Sequence, residues 1–168
     1  DSFLAARLAP LDKGMSMADL AAEAIPAVMG PEAGAETVRD AVAAAKTRGA
    51  EGIVISFLHG FRNAAHEAEA AKIVRETTPE LFVFTSAEIW PVIREYERTT
   101  TAIINGYVHP RVSDYLDKLQ EALSKSGVSA EPLITKSNGG VMSAALGKTS
   151  CVNMVLSGTA SGVIGGAV

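Results

Sequence analysis

Residues Gly52-Ile-Val-Ile-Ser-Phe-Leu58 form a continuous apolar run of β-branched character, and this run constrains the fold more than any other feature of the chain. A strand without polar alternation must be covered on both faces, the condition met in a mostly parallel sheet with helices above and below. The flanks agree. Thr37 to Arg48 is an alanine-rich helical stretch ended by Gly49, which suits a left-handed cap. Asn63 can cap a second helix from Ala64 to Glu76, whose Ala68, Ala71, Ile73 and Val74 mark the side facing the sheet. The turn Thr77 to Glu80 then leads into a second strand, Leu81-Phe-Val-Phe84. Helix, strand, helix, strand is the rhythm of βαβ construction, so the expected fold class is α/β.

Further along, Val108, Val112, Tyr115, Leu116, Leu119 and Leu123 fall at steps of three and four, which predicts one long helix over 97–125 or two joined near Pro110. Proline inside a helix costs about 3 kcal/mol or more, so a bend is expected at His109-Pro110. Glu131 to Lys136 reads as a short strand, Val141 to Ala145 as a helical turn, and Cys151 to Leu156 as a buried strand. Near the start, Met17 to Met29 has helical spacing, with Ser16 as its cap and Pro26 limiting its length. The change of character at 85–97 divides the chain into an α/β part, 1–93, and a part led by long helices, 94–168. The sequence starts at Asp1 and stops just after a glycine turn opens a small-residue helix, so an internal piece of a larger protein is expected.

A formal charge of −4 with no basic run removes the electrostatic footprint of a nucleic-acid binder. The apolar runs fall far short of the roughly 20 residues that span a bilayer, so no membrane partner is expected. The single cysteine, Cys151, fits a reducing, cytoplasmic setting and, within an apolar stretch, a buried small hydrophobe rather than a nucleophile. His59, His66 and His109 are too far apart and too poorly supported by other ligands to predict a metal site.

Five segments are candidates for chemistry. Gly147-Lys-Thr-Ser150 resembles the end of a phosphate-binding P-loop but has Met142 where that motif needs glycine, and it is set aside. His59-Gly-Phe-Arg-Asn63 follows the first strand, and ligands of open α/β sheets gather outside the carboxyl ends of strands. In Arg94-Glu-Tyr-Glu-Arg98, Arg94 or Arg98 can clamp a carboxylate or phosphate and Glu97 can act as a general base; a solvated first helical turn explains the same residues. The turns Ser137-Asn-Gly-Gly140 and Ser157-Gly-Thr-Ala-Ser-Gly162 follow two expected strands. If those strands are parallel, the turns line one cleft with N–H donors suited to phosphate; close helix packing is the competing explanation.

Taken together, His59-Gly-Phe-Arg-Asn63 with His66-Glu67, Arg94-Glu-Tyr-Glu-Arg-Thr99, Ser137-Asn-Gly-Gly140 and Ser157-Gly-Thr-Ala-Ser-Gly-Val163 resemble the hydantoinase A/5-oxoprolinase family in order and approximate spacing, over about residues 37–168. The resemblance implies part of an actin-like ATPase (ribonuclease H-like) two-domain fold. It also implies part of an ATP-dependent hydrolase that opens cyclic amides such as hydantoins or 5-oxoproline, using ATP and Mg2+. A fragment of an ATP-dependent acetone or acetophenone carboxylase subunit is the alternative within the family, and a non-catalytic α/β binding module the alternative outside it. Asn138, Gly139, Gly140, Ser157 and Gly158 are the implied cofactor-cleft residues, with Glu97 and Arg98 weaker candidates for substrate. A small-molecule substrate, a hydantoinase B-like subunit or domain, and self-association are the implied partners. The family's Asp-Gly-Gly-Thr phosphate motifs are absent, so residues 1–168 alone are expected to be inactive. The chain also departs from the family's usual Gly-Pro-Ala-Gly-Gly at Gly158-Thr-Ala-Ser-Gly162, and has Gly60-Phe61 where a Ser-Tyr pair is common.

Overall fold

The computed structural model describes residues 2–6, 24–28 and 34–167, the first two segments as backbone only. They fall into two compact units, Asp1–Tyr107 and Val108–Val168. The first holds a four-stranded sheet of β1 (Ser2–Ala6), β2 (Ala24–Val28), β3 (Gly52–Ser56) and β4 (Phe82–Thr85) in the order β2-β1-β3-β4. β1 pairs antiparallel with β2 and β3, whereas β3 and β4 are parallel, with Gly52 opposite Phe82 and Ile55 opposite Thr85. Helix α1 (Ala35–Thr47) precedes β3, and α2 (Ala65–Thr77) is the crossover of the β3-α2-β4 unit.

The expected double coverage of β3 is observed. Ile53 and Ile55 pack into a core with Val38, Val42 and Ala45 of α1 and Ala70, Ala71, Ile73 and Val74 of α2. Val54 points to the opposite face, against Ala102, Ile103 and the partly buried Ile89. All three strand residues are fully buried, each contributing about 1.5–3 kcal/mol by transfer from water.

A short helix α3 (Ser86–Ile89) follows β4, and α4 (Glu95–Lys125) is a single 31-residue helix with Pro110 inside it. The boundary between the units falls within α4. In the second unit β5 (Leu133–Thr135) and β6 (Val141–Ser143) form an antiparallel pair, followed by α5 (Ala144–Thr149), a 3-10 turn at Cys151–Met154 and α6 (Ser157–Gly165). Leu116 of α4, Met142, Ala144 and Cys151 are its buried apolar residues.

Three expectations are corrected. The helix expected over Met17–Met29 is replaced at Ala24–Val28 by edge strand β2, where Pro26 is tolerated because one row of the edge needs no N–H donor; the rest of that stretch lies outside the described residues. Val141–Ser143 is a strand rather than a helical turn, because Asn138-Gly139 closes a hairpin onto β5. Cys151–Leu156 is not a strand: Cys151–Met154 coils into a 3-10 turn that leaves Val155 and Leu156 exposed. The two glycine turns therefore do not follow parallel strands.

Candidate functional site

Because β3 and β4 are parallel, their carboxyl ends emerge at one edge, the place where open α/β sheets receive ligands. The loop 57–63 leaves β3 there. His59 has φ of 58°, a left-handed conformation that costs a non-glycine residue roughly 1–2 kcal/mol. Gly60 beside it serves a different need, since a Cβ there would overlap Glu67 Oε1 and sit 3.1 Å from the Phe57 carbonyl.

Two of the charged groups that hold the loop have no exposure of their own. Glu67 of α2 is fully buried; its Oε1 accepts the Phe57 N–H at 2.8 Å and the Ser86 hydroxyl at 2.7 Å, and its Oε2 accepts the Ala87 N–H at 2.9 Å. Arg98 of α4 is equally buried. It donates from Nε to Ser86 Oγ at 2.9 Å, from Nη1 to the Val92 carbonyl at 2.9 Å and from Nη2 to the Phe57 carbonyl at 2.7 Å. Ser86 thus relays between the two charges, accepting from Arg98 and donating to Glu67. Glu95 Oε1 accepts the His59 N–H at 3.1 Å and lies 3.6 Å from Arg98 Nη1. The His59 bond holds the Glu95 carboxyl below the ordinary glutamate range, against partial desolvation, with the Arg98 charge assisting. The Arg98 guanidinium carbon stands 5.9 Å from the Phe61 ring centroid, and Phe61 meets the exposed His59 ring edge-on at 6.3 Å.

Arg98 therefore does not present its donors to solvent as a carboxylate or phosphate clamp would; burial has committed them to protein acceptors. Glu97 remains partly exposed and pairs with Arg94 at 3.2 Å. Ser86 lay outside the segments that the sequence singled out, and Glu67 and Glu95 lay inside them with no role of their own. Glu67 nevertheless shares the helical face of Ala70, Ala71 and Val74, and a carboxylate on an apolar stripe is a signal of a buried, partnered charge.

In the second unit the structure brings the two glycine segments together. Gly139 has φ of +83°, and a Cβ there would overlap the Ile164 side chain of α6, while the Ser137 N–H donates to the Asn153 carbonyl at 2.7 Å. The turn closes on itself: the Gly139 N–H donates to the Lys136 carbonyl at 3.0 Å and the Gly140 N–H to Asn138 Oδ1 at 3.1 Å. Its amides at Ser137, Gly139 and Gly140 are thus already engaged. The start of α6 differs, because the bond from the Ala160 N–H to the Leu156 carbonyl leaves the amides of Ser157, Gly158 and Thr159 ahead of it without an intrahelical acceptor. A Cβ on Gly158 would meet nothing within 4 Å among the described residues. Of the two segments, the α6 start leaves backbone N–H groups for an outside acceptor, whereas the hairpin turn commits its own to protein acceptors.

The remaining candidates are structural. Gly147 lies in α5 with its Cβ position 3.1 Å from Leu116, and Lys148 donates to Gln120 Oε1 at 2.9 Å. Burial pushes the Cys151 thiol up to about 11, and its Sγ lies 3.2 Å from the Lys148 carbonyl. Among the described residues no group of three or more His, Cys, Asp or Glu is placed to hold a metal ion, and no helix is long and apolar enough to cross a membrane.

Two family models match the chain: the hydantoinase/oxoprolinase N-terminal region over residues 27–78 and hydantoinase/oxoprolinase over residues 98–168. Caprolactamase subunit alpha of Pseudomonas jessenii is 33% identical over 66% of this chain and 16% of its own length. Acetone carboxylase beta subunit of Xanthobacter autotrophicus is 33% identical over 77% and 18%, and 5-oxoprolinase of Saccharomyces cerevisiae 30% identical over 77% and 10%. The nucleotide-free structure of an ATP-dependent acetone carboxylase superposes with a TM-score of 0.68 at 32% identity, covering 78% of this chain and 19% of that one. The ATP-dependent caprolactamase structure from Pseudomonas jessenii gives 0.68 at 28% identity, covering 80% and 20%. The chain thus spans a fifth or less of each of these relatives. Its βαβ unit and long helix correspond to part of both solved enzymes, and the chain belongs to the hydantoinase/oxoprolinase family.

Proposed function

We propose that this chain forms part of the framework of an ATP-dependent enzyme that opens a cyclic amide. The observation that carries the reading is the chemistry in the relatives' names: caprolactam and 5-oxoproline are both lactams, and their enzymes align with most of this chain. In the proposed role, the amides at Ser157 and Gly158 receive a phosphate of ATP at the positive end of α6, supported by the Asn138-Gly139-Gly140 hairpin. Bound ATP supplies a phosphoryl group that activates the amide oxygen for ring opening. Mg2+ accompanies the nucleotide, and no described residue is assigned to it.

The proposal extends to an actin-like ATPase framework, to a border between two family regions at 93/94, and to a hydantoinase B-like partner in the cytoplasm. The gap between the two family models, 79–97, supports the border, and the subunit names of the caprolactamase and acetone carboxylase relatives support a partner. A ketone carboxylase is the second reading, favoured by the acetone carboxylase match, which covers more of this chain than the caprolactamase match.

Isothermal titration of the whole protein with a non-hydrolysable ATP analogue and Mg2+ tests the nucleotide role. Wild type should bind and Gly158→Val should bind at least about tenfold more weakly, because a branched side chain would fill the open approach to the α6 amides. No binding by wild type removes the proposal. Phosphate release stimulated by 5-oxoproline, hydantoin or caprolactam supports cyclic-amide opening; stimulation by acetone with bicarbonate alone transfers the reading to the carboxylase.

A further inference from the structure

We infer that His59 contacts the substrate: its imidazole hydrogen-bonds the ring amide of a small cyclic ligand at the carboxyl edge of β3, and Glu67, Ser86, Arg98 and Glu95 are the positioning residues of that contact. The inference rests on the cyclic-amide reading and adds a substrate contact to it.

Three observations converge on the loop. The first is an inversion of the usual assignment: the left-handed backbone position is held by His59, while the adjacent Gly60 provides room for Glu67. For folding alone, glycine at 59 would relax the backbone. The side chain at 59 is therefore retained against a conformational cost, the pattern of residues kept for contact with a ligand.

The second is the scale of the support. Two fully buried charged side chains from two helices grip both backbone groups of Phe57, and a third charged residue grips the His59 N–H. Buried charges are a poor source of stability compared with apolar packing, but they fix a backbone in one place. The grip ends on the residue whose ring is exposed.

The third is the exposure of that ring and of the segments beside it. Phe61 packs against it edge-on, which restricts its orientation, and Leu58, Ile93 and Tyr96 on the adjoining segments are 58%, 67% and 79% exposed. An exposed imidazole held by one aromatic contact keeps its ring nitrogens open to a ligand from solvent. A ring amide, with one N–H and one carbonyl, matches an imidazole that can serve as donor or acceptor.

The test combines modification and kinetics on the whole protein. Carbethoxylation of His59 by diethyl pyrocarbonate, read on its peptide by mass spectrometry, should slow about tenfold when 5-oxoproline, hydantoin or caprolactam is added at ten times its dissociation constant, with the ATP analogue and Mg2+ present. His59→Gly should lower kcat/KM for amide-stimulated phosphate release about tenfold or more and leave the thermal midpoint within about 2 °C of wild type. Protection of His59 without any turnover would remove the functional reading and keep the contact. Turnover that survives His59→Gly within about twofold, with no protection of His59, would overturn the contact and keep the functional reading. Absence of both turnover and protection overturns both.

Discussion

The Arg98 guanidinium donates to the Phe57 carbonyl at 2.7 Å across 41 residues of sequence, tying the first turn of α4 to the end of β3. Ser86 joins this bond to Glu67, so the successive helices α2, α3 and α4 meet at one hydroxyl. Removing the hydroxyl leaves a guanidinium N–H and a carboxylate oxygen each short of a partner in a dry interior. Ser86→Ala should cost about 1–3 kcal/mol and speed amide exchange at Phe57 and Gly60 about tenfold or more. Arg98→Lys should act in the same direction, since an ammonium cannot reach three acceptors in a fork. Unchanged exchange in both variants would show that the relay does not hold the loop.

Gly60 and Gly158 make opposite predictions for the same substitution. Gly60→Ala forces a methyl against Glu67 Oε1 and the Phe57 carbonyl, and should destabilise by about 1–3 kcal/mol. Gly158→Ala places a methyl in open space on a helix, where alanine is preferred by about 0.8–1 kcal/mol. Thermal midpoints of the two variants should therefore move apart, the first down and the second up or level.

The Glu95 clamp should respond to acid. A carboxyl with its folded pKa below the unfolded value contributes stability above the unfolded value and loses it as pH falls through the folded one. Bonding from the His59 N–H lowers Glu95 in this way, so the clamp is complete at neutral pH and weakens only below the ordinary glutamate pKa of roughly 4.3. Protection of the His59 amide, corrected for its intrinsic exchange, should fall over that acidic range in wild type. In Glu95→Gln it should be lower at neutral pH and flat through the same range.

The sequence carried the βαβ unit because burial on both faces of β3 leaves an unmistakable run, Ile53-Val54-Ile55, and because α2 repeats its apolar residues at helical spacing. It failed where short apolar stretches lack a periodic context. Val152, Val155 and Leu156 resemble a strand by composition, yet β5 already has its partner in β6 through the Asn138-Gly139 turn, and that hairpin signal outranked the apolar run. The site was half legible. His59 to Asn63 was found by position after a strand, whereas the role of Arg98 was inverted: its sequence neighbours are charged, but its neighbours in space are Phe57, Ser86 and Phe61. Which face of a helix turns inward depends on residues far away in the chain, and here Arg98 shares its inward face with Ala102 and Asn105.

Pro110 has a consequence for α4 itself. It has no N–H to offer the carbonyl of Gly106, one turn earlier, and Gly106 is where the helix comes close enough to β3 for a Cβ to stand 3.0 Å from Val54 Cγ2. The ladder of this long rod thus lacks a rung just beyond this close approach to the sheet. The hydrogen bonds that wind the turn bearing Arg98, and with it the grip on the His59 loop, lie upstream of that gap and do not run through it.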